Sequence, residues 1–354
     1  MITTLLIAIG IVMIYSSSAI PSWERYGDSM YFLKRHLVFL LIGLIASFLV
    51  MILDYRILQK YSRILLIGSL GLLVLVLVPG IGKEVSGAQR WFRIAGFGFQ
   101  PSELAHFCLI IYIADFLVRK ENFIRDFWHG FIPSMFVLGI AVLLLLMQPD
   151  LGSSIAMAMV VILMLFIGGL RISHLALVSL VSLPALAYLV FSVPYRRARI
   201  LAFLNPWQDP KGTGFQIIQS QIALGSGGLF GVGLGQGKQK LFYLPAAHTD
   251  FIFSIIGEEL GLFFTLAIVI LFILFLMCSI KIIKNIKDRF GYFLAVGILS
   301  TICLKAIINI GVSIGFFPTK GLPLPFISYG GSSLVFDMIG VALLLNISRF
   351  TENI

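Results

Sequence analysis

Residues 131–149 read FIPSMFVLGIAVLLLLMQP, nineteen positions without one charged side chain. Coiled as a helix at 1.5 Å per residue, such a run covers about 28 Å, close to the hydrocarbon thickness of a bilayer. Two more follow almost directly, at 151–169 and 172–193. Working outward, apolar runs between charged or Gly/Pro breaks recur at 2–20, 37–53, 64–80, 101–118, 251–280, 291–316 and 326–348. The composition agrees, with 59% hydrophobic and 12% charged residues, where soluble domains carry about 25% charged. The expected fold is all-α, a polytopic membrane protein of about ten transmembrane helices. Residues 1–354 form a single membrane domain, and residues 194–250 are one long ordered extracytoplasmic loop within it.

The formal net charge is +10, yet the basic residues are spread through short loops with no stripe of interleaved aromatics, so nucleic acid is not the expected partner. Anionic headgroups or a pyrophosphate-bearing substrate fit better. With a cytoplasmic N-terminus, the inner loops hold twelve Lys and Arg and the short outer loops seven, which places both termini in the cytoplasm of a multi-pass protein. Cys108, Cys278 and Cys303 sit at wide spacing in apolar runs; they suggest core packing and neither a disulfide framework nor a zinc site. Residues 1–20 lack a basic leader region and read as a retained first helix.

Loops as long as 194–250 are usually functional or disordered. This one holds Phe203, Trp207, Phe215, Ile217, Ile218, Leu229, Phe230, Phe242 and Tyr243, residues that would not be left in water, so order is expected. Its glycine run, GSGGLFGVGLGQG over 225–237, has no preceding strand or βαβ pattern to support a nucleotide-binding reading. Tight turns and close backbone packing account for it.

Charges inside spans are expensive and mark a site, a path or a partner. Glu103, Asp115, Glu258, Glu259, Lys305 and Asp337 are such residues, with Gln148, Asp150 and Asp250 at span ends. A buried ion pair or helix contact explains any one of them equally well. Sidedness favours function: Arg90, Glu103, Gln148, Asp150, Arg196, Arg197, Arg199, Asp250, Lys320 and Ser328 all fall at the outer face. Asp250 lies at the water–lipid boundary, with Glu258 about 12 Å deeper along a helix. Pro101 suits a helix start, and Pro318, Pro323 and Pro325 suit a rigid re-entrant or hairpin segment.

Eight motifs in order resemble the SEDS (shape, elongation, division and sporulation) family. They are YSSS at 15–18, SGAQRW at 86–91, QPSEL at 100–104, QPDLG at 148–152, Arg199 through FLNPW at 203–207, HTDFIF at 248–253, GEELG at 257–261 and PFISYGGSS at 325–333. GVGLGQGKQKLFYLP at 231–245 and PTKGL at 318–322 look more like its FtsW-like division branch than its RodA-like elongation branch. The resemblance implies a peptidoglycan glycosyltransferase that polymerises lipid II at the outer leaflet of the bacterial cytoplasmic membrane, at the division septum. It would work beside a class B penicillin-binding protein and other membrane proteins of the division machinery. The family's essential aspartate maps onto Asp250, its glutamate onto Glu103 and its extracellular arginine onto Arg90. Three features depart from the pattern: His106 replaces a lysine, Lys305 stands where a neutral polar residue is expected, and the first span begins almost at once, which leaves open a longer start.

Joining disaccharide units requires a sugar hydroxyl to displace a lipid pyrophosphate at an anomeric carbon, through a transition state with oxocarbenium character. Asp250 is the candidate base. Arg90, Arg196, Arg197, Arg199, Lys238, Lys240 and Lys320 are the candidate phosphate contacts. Glu103, His106, Asp150 and Ser328 complete the expected substrate site, and magnesium or manganese could be held by Asp150 or Glu103. Two rival readings remain: a lipid II flippase, whose polar residues would continue toward the cytoplasm, and a non-enzymatic scaffold that recruits a transpeptidase.

Overall fold

The computed structural model describes every residue except 86, 87, 95, 242, 320, 353 and 354. Ser86, Gly87, Phe242 and Lys320, all named above, therefore lie outside the described residues. Thirteen helices and a small sheet follow in chain order: α1 (Ile2–Tyr26), α2 (Tyr31–Ile52), α3 (Arg56–Lys60), α4 (Ser62–Leu77), β1 (Lys83–Val85), β2 (Ala88–Ile94), β3 (Phe97–Phe99), α5 (Pro101–Arg119), α6 (Ile132–Met147), α7 (Leu151–Ile167), α8 (Ile172–Phe191), α9 (Pro194–Leu204), α10 (Phe215–Ser226), α11 (Ile252–Asn285), α12 (Arg289–Ser313) and α13 (Gly331–Glu352).

Among the described residues, eight helices are long and apolar enough to cross a membrane, and the shorter apolar α4 and α7 bring the candidates to ten. Each expected span overlaps one of these helices, with ends that differ by up to about six residues, as at α1 and α2. Two local features depart from the expectation. The segment between the third and fourth spans folds as an antiparallel sheet of order β1-β2-β3. Cys108 is buried, as expected of a packing residue, but Cys278 is exposed on the apolar surface.

The chain divides into two compact units, each drawn from three separate stretches. One comprises Met1–Val38, Leu180–Leu276 and Lys305–Gly330; the other comprises Phe39–Ser179, Met277–Leu304 and Gly331–Ile354. The second unit is centred on α5, whose spanning window is 72% buried. Pro101 occupies the first turn of α5 and Glu103 the same turn, an arrangement that costs no backbone donor and complements the helix dipole. Farther along, the buried Asp115 accepts from Ser62 Oγ at 2.6 Å and from Arg119 Nε at 2.8 Å. This intramembrane carboxylate is a helix-to-helix tie.

In the first unit the span at α11 is not one continuous helix. Gly261 has φ 77° and ψ −174°, which breaks the helical ladder. A break inside an apolar span exposes carbonyls before it and amides after it, and lipid can satisfy neither. The glycine-rich segment repairs both sides. Val232 N and Gly233 N donate to Glu258 O and Glu259 O at 3.0 Å each, while Leu262 N and Phe263 N donate to Gly228 O and Leu229 O at 3.0 and 3.2 Å. Such contact needs bare backbone: a Cβ on Gly261 would run into Gly231 N, Leu229 O and Phe230 C. The glycines of 225–237 thus serve close packing and turns, as their spacing suggested.

The same break seats two carboxylates. Glu258 accepts from the backbone amides of Lys238 at 2.7 Å and Gln239 at 3.2 Å. Glu259 is fully buried and accepts from Lys240 Nζ at 2.5 Å, Ser16 Oγ at 2.6 Å and Gly235 N at 3.0 Å. Both intramembrane glutamates are consumed by the architecture.

Candidate active site

The long segment before α11 ends in a tight turn at Ala246, whose φ is 58° and whose carbonyl receives the amides of Thr249 and Asp250 at 3.0 and 3.1 Å. The turn lays His248-Thr249-Asp250 along the irregular stretch between α12 and α13. Tyr329 N donates to His248 O at 2.9 Å, and Ser328 Oγ donates to Thr249 O at 2.6 Å. From α12, the buried Asn309 sends one amide hydrogen to Asp250 O at 2.9 Å and another to Leu322 O at 2.8 Å.

Asp250 itself is half-buried. Burial of the carboxyl group pushes its pKa up to about 6, and the positive charge of Arg199 holds it down in part. A carboxylate poised there is ionised at neutral pH yet more basic than an ordinary aspartate, the property asked of a general base. Arg199 is fixed by donating to Thr319 O at 3.1 Å and by lying 4.5 Å over the Tyr195 ring. His248, the other titratable group of the motif, packs 4.4 Å from Phe32 and 5.7 Å from Tyr329. Burial lowers its pKa to about 4, so its ring is neutral at pH 7.

The expected site residues separate into distinct roles. Arg197 and Lys238 are exposed. Arg196 turns back to donate to Leu189 O at 3.0 Å. Lys240, expected among the phosphate contacts, forms a buried ion pair with Glu259. Ser328 is buried, its hydroxyl donating to Thr249 O and accepting from Leu324 N, so it shapes the loop that carries Asp250.

Arg90, Glu103, His106 and Asp150 belong to the other unit. Arg90 donates through Nε to Gln148 O at 2.9 Å and through Nη2 to Pro149 O at 2.5 Å. It thereby ties β2 to the α6–α7 corner, so its donors serve the fold as well as any ligand. Asp150 caps α7, accepting from Ser153 N at 3.1 Å and Ser153 Oγ at 2.9 Å. Glu103 and His106 stand one turn apart on α5, both half-buried. Asp150 is engaged with Ser153, and no group of three or more His, Cys, Asp or Glu converges among the described residues.

Asn309 and Gly321 escaped the sequence reading, which searched spans for charges and passed over neutral polar groups. A lone amide in the apolar run of α12 was the available signal for the first. The second lies inside the PTKGL stretch at 318–322, which was read for its branch resemblance and given no role beside the carboxylate.

Compared with known proteins, the chain matches the family model for the FtsW, RodA and SpoVE cell cycle proteins over residues 1–353. It is 47% identical over 348 residues, covering 98% of this chain and 95% of the relative, to a probable peptidoglycan glycosyltransferase FtsW of Geobacter sp. (strain M18). It is 45% identical over 351 residues, covering 99% and 96%, to the stage V sporulation protein E of Bacillus subtilis. Among solved structures, it resembles a chain of a peptidoglycan synthase complex that coordinates polymerization and crosslinking, with a TM-score of 0.81 and 34% identity over 99% of this chain and 96% of that one. It also resembles the rod shape determining protein RodA of Thermus thermophilus, with a TM-score of 0.73 and 30% identity over 98% and 94%.

Proposed function

The chain belongs to the FtsW, RodA and SpoVE family of cell cycle proteins, and as a peptidoglycan glycosyltransferase of that membrane family it acts, we propose, on lipid II with Asp250 as its base. The observation that carries this reading is a half-buried carboxylate lifted to about 6 that feels the charge of a fixed arginine. In the reaction, a sugar hydroxyl of one lipid-linked unit gives its proton to Asp250 while its oxygen bonds to the anomeric carbon of another. The bond from that carbon to the pyrophosphate breaks, and the electron pair leaves with the phosphate. Arg199 faces the developing negative charge, and Arg197 and Lys238 supply exposed cations for the phosphates. Pyrophosphate departs without a strong acid, so a neutral His248 is no obstacle.

Both termini lie in the cytoplasm in this reading, and Asp250 opens to the outer leaflet at the division septum. A class B penicillin-binding protein cross-links the strands as they form. Similarity to a chain of a complex coupling polymerization to crosslinking supports that partnership. The flippase alternative loses two of its supports, because Glu258 and Glu259 are consumed inside the protein.

Purified protein incubated with labelled lipid II, with and without the penicillin-binding protein, tests the reading. Asp250→Asn keeps volume and removes the proton acceptor, so glycan synthesis should fall about a hundred- to ten-thousand-fold with lipid II binding retained. Long strands made by Asp250→Asn at the wild-type rate, in preparations free of other polymerases, would remove Asp250 as the base.

A further inference from the structure

Asn309 sits fully buried in the apolar run of α12. Its Oδ1 is buried without a hydrogen-bond partner among the described residues, a desolvation cost that a leucine of similar size would avoid. What the side chain contributes therefore lies in its two N–H groups, which reach the carbonyls of Asp250 and Leu322 at 2.9 and 2.8 Å. These two carbonyls belong to segments about seventy residues apart in sequence, and one amide joins them.

The join has a consequence at the carboxylate. Gly321, the neighbour of Leu322, presents its bare α-carbon to the Asp250 side chain: a Cβ there would lie 2.8 Å from Oδ2 and 3.2 Å from Oδ1. On the other side of Gly321, Thr319 O is held by Arg199. The main chain that carries the carboxylate and the surface the carboxylate rests on are thus tied together by Asn309, with the neighbouring cation anchored to the same stretch.

We propose that Asn309 is a positioning residue of the transferase reaction, its carboxamide clamping Asp250 to the Gly321–Leu322 backbone so that the carboxylate meets the sugar hydroxyl in one orientation. The inference rests on Asp250 being the base. Asn309 touches no substrate; it acts through Asp250. Oriented groups supply much of an enzyme's rate, and a misplacement of about 1 Å costs on the order of a hundredfold.

The test uses the full-length protein in detergent with labelled lipid II, comparing wild type, Asn309→Ala, Gly321→Ala and Asp250→Asn. Asn309→Ala should lower kcat about ten- to a hundredfold with KM within about twofold. Its acid limb should move to lower pH, because a released carboxylate takes up water. Gly321→Ala breaks no hydrogen bond but displaces the carboxylate, so it should lower kcat with an unchanged melting temperature. It also decides the matter should Asn309→Ala fail to fold. A purely structural Asn309 would reduce the folded fraction while leaving kcat per folded molecule and the pH profile as in wild type, and that result overturns the proposal. Wild-type kcat in Gly321→Ala overturns it as well. Loss of activity in Asp250→Asn alongside wild-type behaviour of the other two variants removes Asn309 and spares the base; an active Asp250→Asn removes both.

Discussion

Lys240→Met tests the buried charge network at the helix break. In the wild type, Glu259 is fully buried and its Oε1 receives Lys240 Nζ at 2.5 Å, leaving Ser16 Oγ and Gly235 N on Oε2. Methionine fills most of the lysine's volume without its charge, so the loss is electrostatic. Removing one partner of a buried pair strands the other, at a cost of about 3–5 kcal/mol. Spread over the unfolding entropy of a chain this long, that amounts to a fall in melting temperature of about 4 to 7 °C. Adding Glu259→Gln removes the stranded charge and keeps an acceptor for Ser16 and Gly235. The double variant should therefore melt above Lys240→Met alone, with a coupling energy of about 0.5–3 kcal/mol from the cycle. Thermal unfolding of the detergent-solubilised protein, followed by intrinsic fluorescence, provides the measurement. A Lys240→Met melting temperature within about 1 °C of wild type, or a double variant no more stable than the single one, would refute the network as a structural element.

Two further outcomes concern Asp250 and two of the arginines. Asp250 has its pKa raised from 3.8 to about 6, so the fold favours its protonated form: the stability this contributes is complete below the unfolded value and lost as pH rises through about 6. The rate has the opposite sense, since a base must be ionised, and between pH 4 and 7 glycan synthesis should climb while melting temperature falls. Asp250→Asn should flatten that decline, and a decline equal to wild type would show that another group causes it. Arg90→Ala and Arg197→Ala should differ in kind. The first loses two charged hydrogen bonds to carbonyls, worth about 1.5 kcal/mol at a half-exposed site and about 2 °C in melting temperature. The second should keep its melting temperature and lose turnover of lipid II.

Much of the architecture was legible because a membrane leaves a chain few choices. An apolar run such as 131–149 must satisfy its own backbone in lipid, so its helical form follows from length and composition alone. The ten spans, the order of the 194–250 segment and the glycine run as a packing device were read on that ground. Asp250 was reached through the HTDFIF motif and its place at a span end, which sequence displays directly.

The functions of individual charges were another matter. Lys238 and Lys240 look equivalent in sequence, yet one is exposed and the other is buried against Glu259. The difference arises because the break at Gly261 draws the glycine-rich segment onto α11, and only that contact puts an ammonium beside a carboxylate nineteen residues away. The proton affinity of Asp250 has the same origin. Sequence determined that a carboxylate stands at the end of a span; Asn309, Gly321 and Arg199, brought from distant stretches, decided how it is held and what charge it feels. Hydrophobic length is a local property of the chain, whereas desolvation, ion pairing and orientation depend on which distant atoms come within a few ångströms, and only the tertiary structure specifies those.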